Sequence, residues 1–204
     1  MKKLEKGDSW YIHKRFIEDD LYADTKTFDR LWKLHPEEHG KVKIMGREID
    51  VPRWQKSFGQ SYYFTGLEHK AVKLEDPYLR KLLKWVQKDS GKKYKQVLIN
   101  WYEGGNHYIG PHSDDETHLV KNSSIYSFSF GEERDFVIKA KEGDERIVVP
   151  LKDNSLIIMG GEMQRYYKHS VPKRKKSKGN RINITFRLFT KQTLPQKIEK
   201  GKPK

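Results

Sequence analysis

Residues 97 to 116 read Val-Leu-Ile-Asn-Trp-Tyr-Glu-Gly-Gly-Asn-His-Tyr-Ile-Gly-Pro-His-Ser-Asp-Asp-Glu. The apolar run at 97–99 predicts a strand that continues to Tyr102, so that Asn100 and Tyr102 point to the same face. Glycines between 104 and 110 favour a turn, and His112 and Asp114 follow it, again two residues apart. This stretch therefore predicts a strand, a turn and a second strand, with polar side chains on one face at both ends.

The chain beyond residue 97 consists of short apolar or alternating runs without a helical period. We predict eight strands, at 97–102, 109–114, 125–130, 136–139, 146–151, 155–159, 166–170 and 181–189, and no helix among them. Many short strands at close spacing favour a jelly roll or barrel. The predicted fold is therefore α+β, a double-stranded β-helix with helices packed on one sheet.

The helices are predicted upstream of these strands. One is capped by Asp24 or Thr25 and ends before Pro36, and the other begins at Asp76-Pro77 and ends at Gly91. Residues 10–17 predict a further strand. Residues 42–51 predict a hairpin with Met45 and Arg47 at its tip.

Composition limits the class of protein. A chain of 204 residues fits one domain, and without cysteine any metal must be held by His, Asp or Glu. No apolar run is long enough to span a membrane, and the first residues lack the apolar segment of a signal peptide, so we expect a soluble intracellular protein.

The charge balance points to a polyanionic partner. With 42 basic and 28 acidic residues, the net charge is +14 and the pI is about 9.6. Nucleic acid is the first candidate partner. The alternative is a protein that is basic without binding any polyanion.

The pair His112 and Asp114 offers two of the three ligands of a facial metal site. Two histidines and one carboxylate with open positions are the arrangement of non-haem Fe(II) oxygenases. A His-x-Asp tripeptide also occurs by chance as surface polar groups, so a third ligand is needed. The candidate is His169, whereas the histidines at 13, 35, 39, 69, 107 and 118 lie in polar or loop surroundings that favour surface positions.

The strand at 181–188 alternates strictly between polar and apolar residues. Its polar face carries Arg181, Asn183, Thr185 and Arg187. The simple interpretation is a solvated face. The other is a cavity for a dicarboxylate such as 2-oxoglutarate, because guanidinium groups bind carboxylates through two hydrogen bonds.

From about residue 51 to residue 189, the sequence resembles the AlkB family of Fe(II)- and 2-oxoglutarate-dependent dioxygenases, in particular the eukaryotic-type DNA and RNA repair demethylases. The matching motifs are Val-Pro-Arg at 51–53, Tyr-Tyr-Phe-Thr-Gly at 62–66, the 100–116 stretch, Ser-Phe-Ser-Phe-Gly at 127–131, Arg-Asp-Phe at 134–136, Gln164 before His169, and Arg-x-Asn-x-Thr-Phe-Arg at 181–187. We predict one domain over residues 1–190, in which the resemblance implies a nucleotide-recognition lid at about 40–70 and a jelly-roll core at about 95–190. The lysine-rich composition of residues 191–204 predicts a flexible basic tail.

The resemblance also implies roles for the polar residues of this core. It makes His112, Asp114 and His169 the catalytic metal ligands for Fe(II). It pairs Arg181 and Tyr102 with the far carboxylate of 2-oxoglutarate, and Arg187 and Asn100 with the oxo acid end. Asn183 would support Arg181, and Thr185 belongs to the same cofactor-binding set.

Substrate contacts are implied on both sides of the cavity. Tyr62 and Phe64 would contact a flipped base, although aromatic residues at strand spacing also suit a core. Asp115 and Glu116 would contact the base edge, or alternatively orient ligands or face solvent. Met45 would fill the gap left by the base, although it departs from the aromatic wedge found in relatives. Arg53 would contact phosphates, together with Lys41, Lys43, Arg47 and Lys56.

The activity implied is oxidative removal of N-alkyl groups from bases of the 1-methyladenine and 3-methylcytosine type in DNA or RNA. Oxygen is the co-substrate, and formaldehyde, succinate and carbon dioxide are the products. DNA repair is the first hypothesis. The alternatives are a regulatory RNA demethylase, a degenerate oxygenase that only binds nucleic acid, and a protein hydroxylase.

We expect a monomer without membrane contact, in the nucleus of a eukaryote or the cytoplasm otherwise. The basic loop 172–178 would bind phosphates beside the active site; the alternatives are a nuclear localisation signal and a solvated run of charges.

Overall fold

The computed structural model describes residues 1–44, 47–64, 67–116 and 118–190, without the side chains of residues 42–44, 63, 64 and 67–69. Its helices are α1 (Thr25–Trp32), α2 (Pro77–Ser90) and α3 (Met163–Tyr166), with a 3-10 turn at Asp19–Leu21. The first eight strands are β1 (Lys2–Lys3), β2 (Ser9–Lys14), β3 (Lys41–Ile44), β4 (Arg47–Asp50), β5 (Trp54–Phe58), β6 (Tyr62–Phe64), β7 (Leu67–His69) and β8 (Ala71–Val72). The others are β9 (Gln96–Glu103), β10 (Ile109–His112), β11 (Ile125–Gly131), β12 (Arg134–Ala140), β13 (Arg146–Leu151), β14 (Ser155–Gly161), β15 (Tyr167–Val171) and β16 (Asn180–Arg187).

Two sheets form the body of the protein. The larger has the order β1-β2-β14-β11-β16-β9-β5-β8, and the smaller has the order β10-β15-β12-β13. The chain passes repeatedly between them: β11, β14 and β16 belong to the larger sheet, and β12, β13 and β15 to the smaller. This alternation is that of a jelly roll, as the sequence predicted.

The two faces of the larger sheet have different roles. On its outer face, Ile99 and Ile182 pack in one apolar cluster with Leu79, Leu82 and Val86 of α2. The neighbouring inward residues of β9 and β16 line the space between the sheets. Because side chains alternate along a strand, one pair of strands anchors the helix layer and also presents the polar cavity.

Both upstream helices begin where the sequence predicted. The Asp24 carboxylate accepts the Thr27 N–H, and the Asp76 carboxylate accepts the N–H groups of Tyr78 and Leu79. Gly91 ends α2 in the left-handed conformation, with φ 63°. No helix of the described residues is long and apolar enough to cross a membrane.

Several sequence predictions need correction. A helix does occur after residue 97: α3 forms just before β15, and its four residues are too few to show a helical period. β5, within the range predicted as a lid, pairs with β9 in the larger sheet. β2 also belongs to that sheet, so the sheet extends beyond residues 95–190.

The predicted hairpin at 42–51 is present as β3 and β4, with Ile44 opposite Arg47. Met45, at its tip, and the tail at 191–204 lie outside the described residues.

Asn154 offers a test of how the turn before β14 is held. Its side chain accepts the Ala23 N–H at 2.7 Å and donates to the Ala23 carbonyl at 3.1 Å, while its own φ is 52°. We expect Asn154→Ala to lower the free energy of unfolding by about 3 kcal/mol, because two buried backbone groups lose their partners. Urea denaturation measures this change.

Asn122→Ala is the matched control, since Asn122 has a similar φ of 58° on an exposed residue. It should lose only about 1 kcal/mol. Equal losses in the two variants would show that the hydrogen bonds to Ala23 contribute little.

Candidate active site

Two histidines and one aspartate meet where β10 and β15 pair. His112, the last residue of β10, lies opposite His169 of β15, and Asp114 follows two residues later. Nε2 of His112 lies 3.8 Å from Oδ1 of Asp114, and Nε2 of His169 lies 3.9 Å from its Oδ2. One ligand atom from each residue lies within 4.8 Å of the others. This set of two nitrogens and one oxygen fits Fe(II) with coordination positions left open.

Neighbouring groups orient these three side chains. Nδ1 of His112 lies 2.9 Å from the Gly110 carbonyl, which leaves Nε2 for a metal. The Asp114 N–H donates to Oε1 of Gln164 on α3 at 3.0 Å. The ring of His169 stacks on Phe136 with centroids 5.3 Å apart. The triad is therefore fixed by β10, β12, β15 and α3 together.

Burial sets the protonation of the triad. It lowers the pKa of His169 to about 3 and also lowers that of His112. Burial alone would raise the pKa of Asp114, but Arg187 and the two histidines outweigh it and keep that pKa below its ordinary value. At neutral pH the site therefore presents two neutral imidazoles and one carboxylate, the forms that bind a metal.

Arg181 is a buried cation that has no carboxylate partner within the part of the chain that the structure describes. It is 1% exposed, its Nη2 donates to Oγ of Ser129 at 2.9 Å, and its guanidinium lies 5.0 Å from the ring centre of Tyr102. Its Nε and Nη1 atoms have no hydrogen-bond partner among the described residues. Because a buried charge is costly unless an anion pairs with it, this guanidinium fits the far carboxylate of 2-oxoglutarate.

Asn183 makes no contact with Arg181 of the kind expected from the family resemblance. Its amide donates to Oγ of Ser127 at 2.7 Å and to the Phe128 carbonyl at 2.9 Å, and its oxygen accepts from Thr185 at 3.1 Å. The two bonds donated by the amide join β16 to β11, and Ser129 of β11 supports Arg181 instead. Register explains the difference, because Ser129 lies opposite Asn183 and next to Arg181 across the strands.

Arg187 lies on the acidic side of the cavity. It contacts the Glu116 carboxylate, and its Nη1 lies 3.6 Å from Oδ1 of Asp114. Its guanidinium lies 4.3 Å from the ring centre of Tyr62. Burial raises the pKa of Glu116 to about 7, although Arg187 acts in the opposite direction. Glu116 is thus a buried partner of Arg187, while Asp115 beside it is exposed.

Arg53 is buried, whereas the sequence predicted a surface position in contact with phosphates. It is only 8% exposed, and its Nε donates to Oδ1 of Asn100 at 2.8 Å. A buried side chain cannot contact a phosphate on the protein surface, so Arg53 belongs inside the cavity. The cause is the pairing of β5 with β9, which brings Gln55 opposite Asn100 and turns Arg53 inward. Asn100 therefore meets Arg53, and its expected contact near Arg187 remains a prediction.

One cavity collects most of the predicted residues. It is lined by Arg53, Tyr62, Asn100, Tyr102, His112, Asp114, Glu116, His169, Arg181, Asn183, Thr185 and Arg187. The side chain of Phe64 and all of Met45 lie outside the described residues. Tyr62 is 2% exposed, which agrees equally with core packing and with a wall for the cavity.

The contacts of two further residues beside the site were not predicted from the sequence. Arg134, 1% exposed, donates to the carbonyls of Gly104, His107 and Pro172 and thereby ties the turn before β10 to the basic loop. Gln164 orients the backbone of Asp114. Both belong to motifs that marked the family resemblance, but their spacing does not reveal partners so distant along the chain.

Arg181→Gln tests the fit of the cavity to a dicarboxylate. We expect this variant to bind 2-oxoglutarate about 100-fold more weakly, because the far carboxylate loses two charge-assisted hydrogen bonds. Calorimetry on the metal-loaded protein measures the change. Arg165→Gln removes an equally charged but exposed side chain, 69% accessible, and should bind as the wild type does. Equal affinities of the wild type and Arg181→Gln would remove Arg181 from the site.

The low pKa of His169 predicts a pH dependence of the metal-free protein. The ordinary pKa is 6.5 and the folded value is about 3, so the neutral ring stabilises the fold fully above pH 6.5 and loses this effect as the pH falls towards 3. His169→Asn should therefore lower the slope of unfolding free energy against pH by about 1.4 kcal/mol per unit between about pH 6 and 4. Urea titrations at several pH values measure it, and an unchanged slope would contradict the burial of a neutral ring.

Comparisons with known proteins agree with this geometry. Residues 40–187 match the model of the 2OG-Fe(II) oxygenase superfamily. The chain is 37% identical over 165 residues to the DNA oxidative demethylase ALKBH2 of Homo sapiens, covering 74% of this chain and 63% of that protein. It is 33% identical over 190 residues to the protein of the same name from Arabidopsis thaliana, covering 79% and 60%.

A shorter sequence match and a structural match extend the comparison. The chain is 36% identical over 120 residues to the human alpha-ketoglutarate-dependent dioxygenase alkB homolog 3, covering 54% of this chain and 42% of that protein. A solved structure titled "The structure of OsALKBH1" superposes with a TM-score of 0.57 at 20% identity, covering 92% of this chain and all of that one, and supports the fold.

The chain spans less than two thirds of the length of the sequence relatives named here. The family match and the His-Asp-His group nevertheless identify the cofactors as Fe(II) and 2-oxoglutarate. The chain belongs to the 2OG-Fe(II) oxygenase superfamily and, within it, to the AlkB family of dioxygenases.

Proposed function

We propose that the chain is an oxidative demethylase that removes N-alkyl groups of the 1-methyladenine and 3-methylcytosine type from nucleic-acid bases, most simply in DNA repair. The observation that carries the proposal is the presence, in one cavity, of the His-Asp-His group and of the Arg181 guanidinium, two of whose nitrogen atoms have no hydrogen-bond partner among the described residues. The substrate class rests on the relatives named as DNA oxidative demethylases and on the net charge of +14.

The cavity residues divide into a metal set and a 2-oxoglutarate set. His112, Asp114 and His169 hold Fe(II), and Arg181 pairs with the far carboxylate of 2-oxoglutarate. When bound, these groups and oxygen supply the oxidation that releases an N-methyl group as formaldehyde, with succinate and carbon dioxide. Because the triad is buried, a target base must leave its stack to reach it.

The acidic wall of the cavity suits recognition of a base edge. Oε2 of Glu116 is buried without a hydrogen-bond partner among the described residues, and the ring of Tyr62 lies against Arg187 nearby. A carboxyl oxygen in this position can accept a hydrogen bond from an exocyclic amine. We propose that Glu116 and Tyr62 contact the flipped base, with the segment at about 40–70 acting as the lid, Phe64 as a further base contact and Met45 as a wedge.

The basic loop 172–178 lies beside this cavity and is held in place. Arg134 binds the Pro172 carbonyl at 2.7 Å, and Oγ of Ser177 donates to Glu132 at 2.8 Å. The cations at 173–176 and 178 are all exposed. We propose that this fixed loop contacts phosphates near the target base, and that the protein acts as a monomer where nucleic acid is found, in the nucleus of a eukaryote or the cytoplasm otherwise.

The proposal is tested by mass spectrometry of oligonucleotides that each carry one methylated base, as single-stranded DNA, double-stranded DNA and RNA. Iron, 2-oxoglutarate and oxygen should give loss of the methyl group and an equal amount of formaldehyde from at least one of the three. Asp114→Asn should abolish both, because the metal loses its carboxylate ligand. If succinate forms while every methylated base survives, another substrate class must be sought.

A further inference from the structure

Helix α2 carries a strip of cations that the proposed active site does not use. Arg80, Lys84 and Lys88 follow one another at intervals of four residues, and all three are exposed. They lie on the side of the helix opposite the buried Leu79, Leu82 and Val86. Lys92, Lys93 and Lys95, also exposed, continue the positive surface beyond the end of the helix.

This strip differs from an ordinary solvated helix face. Such a face usually mixes charges of both signs, and like charges four residues apart destabilise a helix. Among the described residues, none of the three cations has an acidic partner within 4.0 Å. The Nε–H of Arg80 donates a hydrogen bond to the Leu74 carbonyl. Arg80 also lies near the helix N-terminus, where the helix dipole disfavours positive charge.

The acidic residues of the same segment are occupied elsewhere. Asp76 caps α2 and pairs with Arg30, and Asp89 accepts the Tyr126 hydroxyl at 2.8 Å. Glu75 pairs with Lys73 at 2.9 Å. The outward face of α2 is thus left with a single sign of charge, which favours an external polyanion as its partner.

The position of α2 separates this surface from the cavity. The helix packs on the outer face of the larger sheet, against Ile99 and Ile182, whereas Asn100 and Arg181 point from the same strands into the cavity. The outer side of α2 therefore lies about 15 Å behind the sheet. At about 3.4 Å per nucleotide, about 15 Å corresponds to about four nucleotides, and the strand must also pass around the sheet, so an oligonucleotide of about eight nucleotides centred on the cavity does not reach this surface.

We propose that Arg80, Lys84 and Lys88 form a second binding surface for the phosphate backbone of nucleic acid, on the side of the domain away from the active site. This inference rests on the proposed function in taking nucleic acid as the polyanion. The surface engages a segment of the strand distant from the target base and so adds affinity for long substrates. The surface does not discriminate between base sequences, because it contacts only phosphates.

The test compares the full chain with the variant R80Q/K84Q/K88Q, since glutamine keeps a similar helix propensity. Fluorescence anisotropy measures binding to single-stranded DNA of about 8 and about 40 nucleotides, each with one 1-methyladenine, at several salt concentrations. For the long DNA the variant should bind about 10-fold more weakly, with a salt slope smaller by about two. For the short DNA both binding and formaldehyde release should equal those of the wild type.

The matched control is K139Q/R146Q/K168Q, which removes the same charge from three exposed residues paired across the smaller sheet. It should bind the long DNA as the wild type does. Equal weakening by both triple variants, or loss of affinity for short and long DNA alike, would overturn the proposal in favour of a general charge effect. Unchanged binding of the long DNA by the α2 variant would also overturn it, leaving an acidic protein as the partner to examine.

The experiments distinguish failure of the second binding surface from failure of the proposed demethylase function. If the wild type demethylates the short DNA but the α2 variant binds long DNA normally, the second surface is wrong and the proposed function stands. If the wild type demethylates nothing but its affinity for long DNA depends on α2, the second surface is supported and the proposed function is wrong.

Discussion

Four guanidinium groups are buried among the described residues, those of Arg53, Arg134, Arg181 and Arg187, and each must be matched by an acceptor or an anion. Arg134 donates to three backbone carbonyls. Arg53 meets Asn100, Arg187 meets Glu116 and Asp114, and Arg181 retains two nitrogen atoms without a partner among the described residues. Burying a charge without compensation costs several kcal/mol. We propose that the far carboxylate of 2-oxoglutarate compensates the charge of Arg181 when the ligand is bound.

The jelly roll makes this arrangement possible through strand alternation. β9 and β16 give their apolar residues to the core under α2 and their polar residues to the cavity. The smaller sheet adds His112 and His169 at opposed positions of one strand pair. The residues that we propose for metal and 2-oxoglutarate binding therefore come from two sheets that face each other, and α3 and Arg134 fix the loops between them.

The predictions from sequence succeeded where a local pattern was sufficient. The period of two at 181–188 correctly placed Arg181, Asn183, Thr185 and Arg187 on one face, and the capping residues Asp24 and Asp76 marked both helix starts. The resemblance to a family, more than spacing, gathered His169 with His112 and Asp114.

The predictions from sequence failed where a residue's position depends on contacts with parts of the chain that are distant in sequence. The burial of Arg53 depends on the pairing of β5 with β9, and the contact between Glu116 and Arg187 joins residues 71 apart in the chain. Helix α3 was too short for a period to appear. The cation strip on α2 was visible in the sequence, but only its position behind the larger sheet separates it from the cavity.

The central claim, that Arg181 and the His-Asp-His group together define a site for 2-oxoglutarate, can be tested on the wild-type chain. Calorimetry without oxygen on Mn(II)-loaded protein would compare 2-oxoglutarate with 2-oxobutyrate, which has the same oxo acid end but lacks the far carboxylate. We expect 2-oxoglutarate to bind about 100-fold more tightly than 2-oxobutyrate, and only when metal is present. Equal affinities, or binding that does not depend on metal, would contradict it.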